Sequence, residues 1–82
     1  MKLIEHSPLR LGILGAAKIA RLFVETVRPS PKITVVAVAA RDPARAQAFA
    51  KDLRIPRVHA SYDALLADAG IDAVYVPLPN NL

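Results

Sequence analysis

The chain has 82 residues, 54% of them hydrophobic but only 5% aromatic, and a formal net charge of +4. That is enough for one small domain with a modest core. The absence of cysteine excludes a disulfide framework and a thiolate metal site, and the two histidines, His6 and His59, have no metal-ligand spacing. The lysines and arginines are scattered, with no run and no interleaved aromatics, so solvated helix faces explain them better than a nucleic-acid surface.

Residues 1–8 read as a loose leader. Met1 to Pro8 is too short and too broken by Glu5 and His6 for a signal peptide. No apolar run approaches membrane-span length, so the expected setting is cytoplasmic, with no membrane partner.

Leu9 to Leu14 has the apolar character of a first strand, and it stops at Gly15. Beyond it, Ile19, Leu22, Phe23, Thr26 and Val27 recur at helical spacing and predict one apolar helix face. Pro29 and Pro31 end that helix. Ile33 to Ala40 is β-branched and almost continuously apolar, as in a central parallel strand buried on both faces. Asp42 and Pro43 then supply an acidic N-cap and a first-turn proline for a second helix. Its predicted buried face is Ala46, Phe49, Ala50 and Leu53.

Val58 and its neighbours predict a short third strand. Ser61 is the expected N-cap of a third helix, with Tyr62, Leu65, Leu66 and Ala69 on its inner face and Gly70 just past its end. Ile71 to Val76 predicts a fourth strand, followed by a loop from Pro77 to Asn81. His59 and Tyr75 are expected as packing residues.

The alternation β-α-β-α-β-α-β predicts an α/β fold, a Rossmann-type doubly wound parallel sheet of strand order 3-2-1-4. In that order the first strand lies beside the fourth. The Gly15 turn and the Pro77–Asn81 loop then flank the crevice where open α/β sheets bind ligands. The fourth strand is left with an open apolar edge, so residues 9–82 read as an incomplete domain, the first part of something longer or a unit covered by another chain.

A strand that turns at a glycine into a helix presents free N–H groups suited to a pyrophosphate. The fingerprint positions here are Gly15, Ala17 and Ala20. Ala17 stands where a second glycine normally allows the backbone to approach the phosphate closely, and the plain alternative is an ordinary βα turn with one glycine. Gly15, Ala16, Ala17, Lys18 and Ile19 are the expected pyrophosphate-binding residues. Lys18 could equally contact phosphate or point outward.

At the end of the second strand an NAD site usually carries an acid for the ribose 2′-hydroxyl. Ala40 stands there, followed by Arg41, and Asp42 is better explained as a helix cap. Arg41 could stack on adenine or fork to a 2′-phosphate, and Arg45, one turn on, could reach the same phosphate. This favours NADP, with NAD possible. The alternative is that both arginines are ordinary surface residues. No Ser/His/Asp, Cys/His or paired-carboxylate arrangement is identifiable, so no catalytic residue is assigned.

Four blocks carry a resemblance: Leu11 to Ala20, Val36 to Ala46 with its Ala-Arg-Asp segment, Ser61 to Leu66, and Ile71 to Asn80. Together they resemble the N-terminal region of the Gfo/Idh/MocA oxidoreductases. The Arg41 and Arg45 pair looks most like the dihydrodiol dehydrogenase branch, which uses NADP. The resemblance implies the dinucleotide-binding part of an enzyme passing hydride between NAD(P) and a sugar, cyclitol or diol-type alcohol. It also implies that Pro77, Leu78, Pro79 and Asn80 line the nicotinamide end, and that the full-length protein is a homo-oligomer. The family's catalytic lysine, in a Glu-Lys-Pro motif, and its substrate sheet come later than these 82 residues. No catalysis is expected of this segment alone. A non-catalytic dinucleotide-binding regulatory or sensor module is the alternative.

Overall fold

A computed structural model describes residues 8–16 and 18–76. The expected leader, Ala17 and the loop from Pro77 onward lie outside the described residues, except for Pro8. The strands are β1 (Leu9–Leu14), β2 (Ile33–Ala39), β3 (Arg57–His59) and β4 (Ala73–Tyr75), and the helices are α1 (Lys18–Val27), α2 (Pro43–Leu53) and α3 (Tyr62–Leu66). All three strand pairings are parallel and the order is β3-β2-β1-β4, as the alternation predicts.

The sheet is covered on both sides because its strands alternate between two apolar clusters. Leu11, Ile13 and Val38 pack with Ala20 and Val24 of α1 and Phe49, Ala50 and Leu53 of α2. Leu14, Ala37 and Ala39 face the other way, onto Leu65 of α3. The pairing of β1 with β2 shifts between Leu11, opposite Val35, and Gly12, opposite Ala37. Val36 is the extra residue, and it packs on the α3 side together with Ala37. The near-continuous apolar run of β2 conceals this bulge, since either face accepts those side chains.

Gly12 has a packing reason of its own. A Cβ there would stand 2.9 Å from Leu65 Cδ2 and 3.1 Å from Ile71 Cδ1. Glycine therefore lets α3 and the approach to β4 lie close against β1.

α2 buries the four residues expected of it, and Asp42 caps it, its carboxylate accepting from Ala44 N–H at 2.9 Å. In α1 the expected face is rotated. The buried residues are Ala20 and Val24, while Ile19 and Leu22 are 56% and 63% exposed. Phe23 and Val27 are half-buried, and Thr26 is exposed with its hydroxyl bonded to the Leu22 carbonyl. The reason is distance to the sheet. The small Ala20 allows close approach on its own side, so packing follows fit rather than side-chain size.

α3 is a single short helix. Ser61 caps it as expected, accepting from Ala64 N–H at 3.0 Å, and Leu65 is fully buried. The expected inner face is too long, however. The helix ends at Leu66, which is 58% exposed, and Ala69 lies beyond it, exposed. Gly70 is not a helix cap. Its N–H donates to the Asp68 carboxylate at 2.7 Å, and a Cβ at Gly70 would collide with the Arg57 guanidinium.

β4 is shorter than expected, and Asp72, just before it, is tied to β1. Asp72 N–H donates to the Arg10 carbonyl at 2.7 Å, and the Asp72 carboxylate accepts from the Arg10 backbone and guanidinium. Tyr75 packs as expected, its ring stacked on Phe23 with centroids 3.8 Å apart. His59 is more than packing. Its Nε2 lies 2.8 Å from the carboxylate of Asp68, which also accepts from Arg57.

These two carboxylates are expected to make the fold acid-sensitive. Hydrogen bonds from Gly70 N–H, His59 and Arg57 hold Asp68 at about 2 rather than 3.8, and those from Arg10 do the same for Asp72. A depressed carboxylate stabilises the fold above its unfolded pKa and loses that contribution as pH falls through the folded value. Thermal unfolding is therefore expected to show Tm falling from about pH 4 towards pH 2, with a shallower fall in Asp72→Asn. An identical acid profile in the variant would remove Asp72 as a source of the effect.

Candidate functional site

The turn after β1 is built around Gly15. Its φ is 126°, a conformation that L side chains rarely adopt. Its N–H donates to the Ala39 carbonyl at 2.7 Å, which ties the turn to the end of β2. Ala16 packs on the α1–α2 side of the core, and Lys18 and Ile19 are exposed in the first turn of α1. Among the described residues that helix has no acid in its first turn, so no carboxylate there opposes an anion at its positive end. Ala20, the third fingerprint position, is fully buried, as close strand–helix contact requires.

The Leu14–Ala39 pairing brings the ends of β1 and β2 level. Ala40 is buried immediately after β2, while Arg41 and Arg45 are exposed. Among the described residues, neither arginine makes a salt bridge, whereas Arg10, Arg21 and Arg57 are each paired with an aspartate. The Asp42 carboxylate is occupied in capping α2, as expected, rather than standing free for a ribose.

Beside Arg41 the surface opens into a cleft of ≈ 350 Å³, lined by Ala40, Arg41, Ala60, Ser61, Tyr62 and Asp63. It joins the carboxyl end of β2 to the segment between β3 and α3. In the sequence Arg41 stands at this end of the sheet, whereas Ser61 to Asp63 carry the marks of a helix start and not of a cleft. The available signal was topological: in the order β3-β2-β1-β4, whatever follows β3 must lie beside whatever follows β2. A second cleft, of ≈ 320 Å³, lies at the opposite end of β2 between the C-terminal ends of α1 and α2, with Arg28 and Arg54 on its walls. The structure thus brings Gly15, Ala16, Lys18 and Arg41 to the carboxyl ends of the strands. Ala17 and Pro77, Leu78, Pro79 and Asn80 fall outside the described residues.

These features fit a dinucleotide: a glycine turn at a helix start, a free cation past β2, and a neighbouring cleft. Comparison with known proteins points the same way. D-xylose 1-dehydrogenase (NADP(+)) 2 of Haloferax volcanii is 48% identical over 77 residues, covering 90% of this chain and 23% of that protein. Trans-1,2-dihydrobenzene-1,2-diol dehydrogenase of Danio rerio is 49% identical over 70 residues, covering 83% of this chain and 21% of the relative. A 3-ketoreductase from Actinomadura kijaniata, solved in complex with NADP and TDP-benzene, superposes with a TM-score of 0.81 at 37% identity, over 88% of this chain and 22% of that one. The chain therefore spans under a quarter of the length of these relatives. The model of the oxidoreductase family with an NAD-binding Rossmann fold matches residues 9–82, and the chain belongs to that family, Gfo/Idh/MocA.

Proposed function

We propose that the chain is the cofactor-binding part of an oxidoreductase and that its cofactor is NADP(H). The observation carrying the preference over NAD is at the end of β2. An apolar Ala40 occupies the position of the usual ribose-binding acid, the next acid is spent on a helix cap, and the exposed Arg41 is unpaired among the described residues. A 2′-phosphate supplies the partner Arg41 lacks, and Arg45, one helical turn on, adds to the same field.

In this reading Gly15 and the start of α1, with Ala16, Ala17, Lys18 and Ile19, hold the pyrophosphate. Arg41 and Arg45 hold the adenosine end, and Pro77 to Asn80 line the nicotinamide end. The bound nicotinamide would supply hydride chemistry. This chain contributes binding and orientation, and the catalytic side chains belong to a further part of a longer enzyme. The names of the relatives support a sugar, diol or similar alcohol as the whole enzyme's substrate. A homo-oligomer acting in the cytoplasm is consistent with that assignment. No helix among the described residues is long and apolar enough to cross a membrane.

Calorimetric titration with NADPH and NADH tests the proposal. NADPH is expected to bind at least about tenfold more tightly. Equal affinity would remove the 2′-phosphate assignment, and no binding of either would remove the cofactor reading altogether.

A further inference from the structure

α1 turns to solvent a stripe that the fold leaves uncovered. Ile19 and Leu22 are its large exposed apolar side chains, and Lys18, Glu25 and Thr26, also exposed, share that outward side at helical spacing. Both flanks of the stripe are already engaged. On one, Phe23 stacks on Tyr75 of β4. On the other, Arg21 pairs with Asp52 of α2 at 3.0 Å, and Arg28 donates to the Leu53 carbonyl. Thr26 brings no unmet polar group, because its hydroxyl donates to the Leu22 carbonyl. What remains is Ile19 and Leu22 between two charges of opposite sign, Lys18 and Glu25. Among the described residues neither charge makes a salt bridge.

The occupant whose charges match is a second copy of the same helix. Lys18 and Glu25 stand about two turns apart on one side of α1, with Leu22 near the midpoint. Laid antiparallel across a two-fold axis at Leu22, each Lys18 lies beside the partner's Glu25, and the apolar side chains of the two stripes meet. A parallel arrangement sets Lys18 level with the partner's Lys18 and Glu25 level with the partner's Glu25, and like charges oppose it. We infer that the outward stripe of α1 is a self-complementary contact between two copies of this chain, antiparallel, with Leu22 at the axis and a Lys18–Glu25 pair at each end. The inference deepens the homo-oligomer proposed above by giving it a surface, and it requires no bound dinucleotide. The contact is narrow. A helix of this length is about 15 Å long, so the area falls short of the roughly 1,600 Å² of a standard stable interface. The association is therefore weak, with a Kd on the order of 100 μM.

Sedimentation equilibrium without cofactor, over about 0.01 to 1 mM chain, is expected to show a reversible monomer–dimer equilibrium. Lys18→Glu should weaken the dimer about tenfold, and adding Glu25→Lys to it should restore the parent's affinity to within about threefold. The chain has no cysteine, so Leu22→Cys introduces a unique thiol beside its own symmetry mate. Mild oxidation should link that variant into a dimer about tenfold faster than Gln47→Cys, an exposed position on α2. A chain that stays monomeric throughout would overturn the contact and leave the stripe to a different partner chain. A dimer indifferent to the charge exchange, with no faster linkage through position 22, would keep self-association but overturn α1 as its surface.

Discussion

Arg41→Ala is expected to weaken NADPH binding by about 10- to 100-fold while leaving NADH binding nearly unchanged. The range follows from losing a charge-assisted, two-pronged contact to phosphate, about 1.5–3 kcal/mol. Arg41 is exposed and has no protein partner among the described residues, so its removal leaves no buried group unsatisfied and should not disturb the fold. That separates binding from stability. Parallel titrations of variant and parent with both dinucleotides, with Tm measured alongside, give the answer. A similar loss for NADH would mean that Arg41 acts on a part common to both cofactors, such as the adenine face.

Gly15→Ala has a broader effect, expected in stability and affinity together. With φ at 126°, a Cβ forces the turn into a conformation costing about 1–3 kcal/mol, or forces it to move. Movement would break the bond from Gly15 N–H to the Ala39 carbonyl, which holds the start of α1 level with the end of β2. The N–H groups proposed to hold the pyrophosphate would then be misplaced, so NADPH and NADH should both weaken, by about tenfold or more. Thermal unfolding and titration read the two effects separately. Unchanged Tm and unchanged affinity would show that the turn tolerates a side chain and is not set by glycine. The contrast between variants is informative in itself: on the proposed assignment Arg41 acts on one end of one cofactor, and Gly15 on what both cofactors share.

The sheet was legible because its signals are local and redundant. The first, second and fourth predicted strands are largely apolar runs between punctuating residues, and Gly15, Asp42–Pro43 and Ser61 mark turns and caps whose chemistry the structure repeats. The order β3-β2-β1-β4 is the one expected once that alternation is read as a Rossmann-type doubly wound sheet. What escaped the sequence depends on contacts between distant segments. Leu22 and Ile19 look like core residues by type, but the face of α1 is set by how near Ala20 can come to β1. Gly12 looks like an incidental strand glycine until Leu65 and Ile71 arrive against it. α3 stops short of Asp68, whose carboxylate gathers Arg57, His59 and Gly70 into one cluster. Asp63 is readable only as a helix-start acid until the order of strands sets it beside Arg41.

The candidate site was legible in part for the same reason. Gly15 announces itself through its neighbours in sequence, strand before and helix after. Arg41 announces itself by what it replaces, since an acid is usual at the end of β2 and none is free there. The cleft wall from Ala60 to Asp63 has no such local marker.

The most direct measurement is an amide chemical-shift map of the chain as NADPH is added. Binding in the crevice predicts shifts at Gly15, Ala16 and Lys18, at Ala40 and Arg41, and at Ser61 to Asp63, with little change at the Arg28 and Arg54 cleft at the other end of the sheet. Shifts centred on Arg28 and Arg54, or no saturable shifts at millimolar NADPH, would contradict a dinucleotide held at the carboxyl ends of these strands.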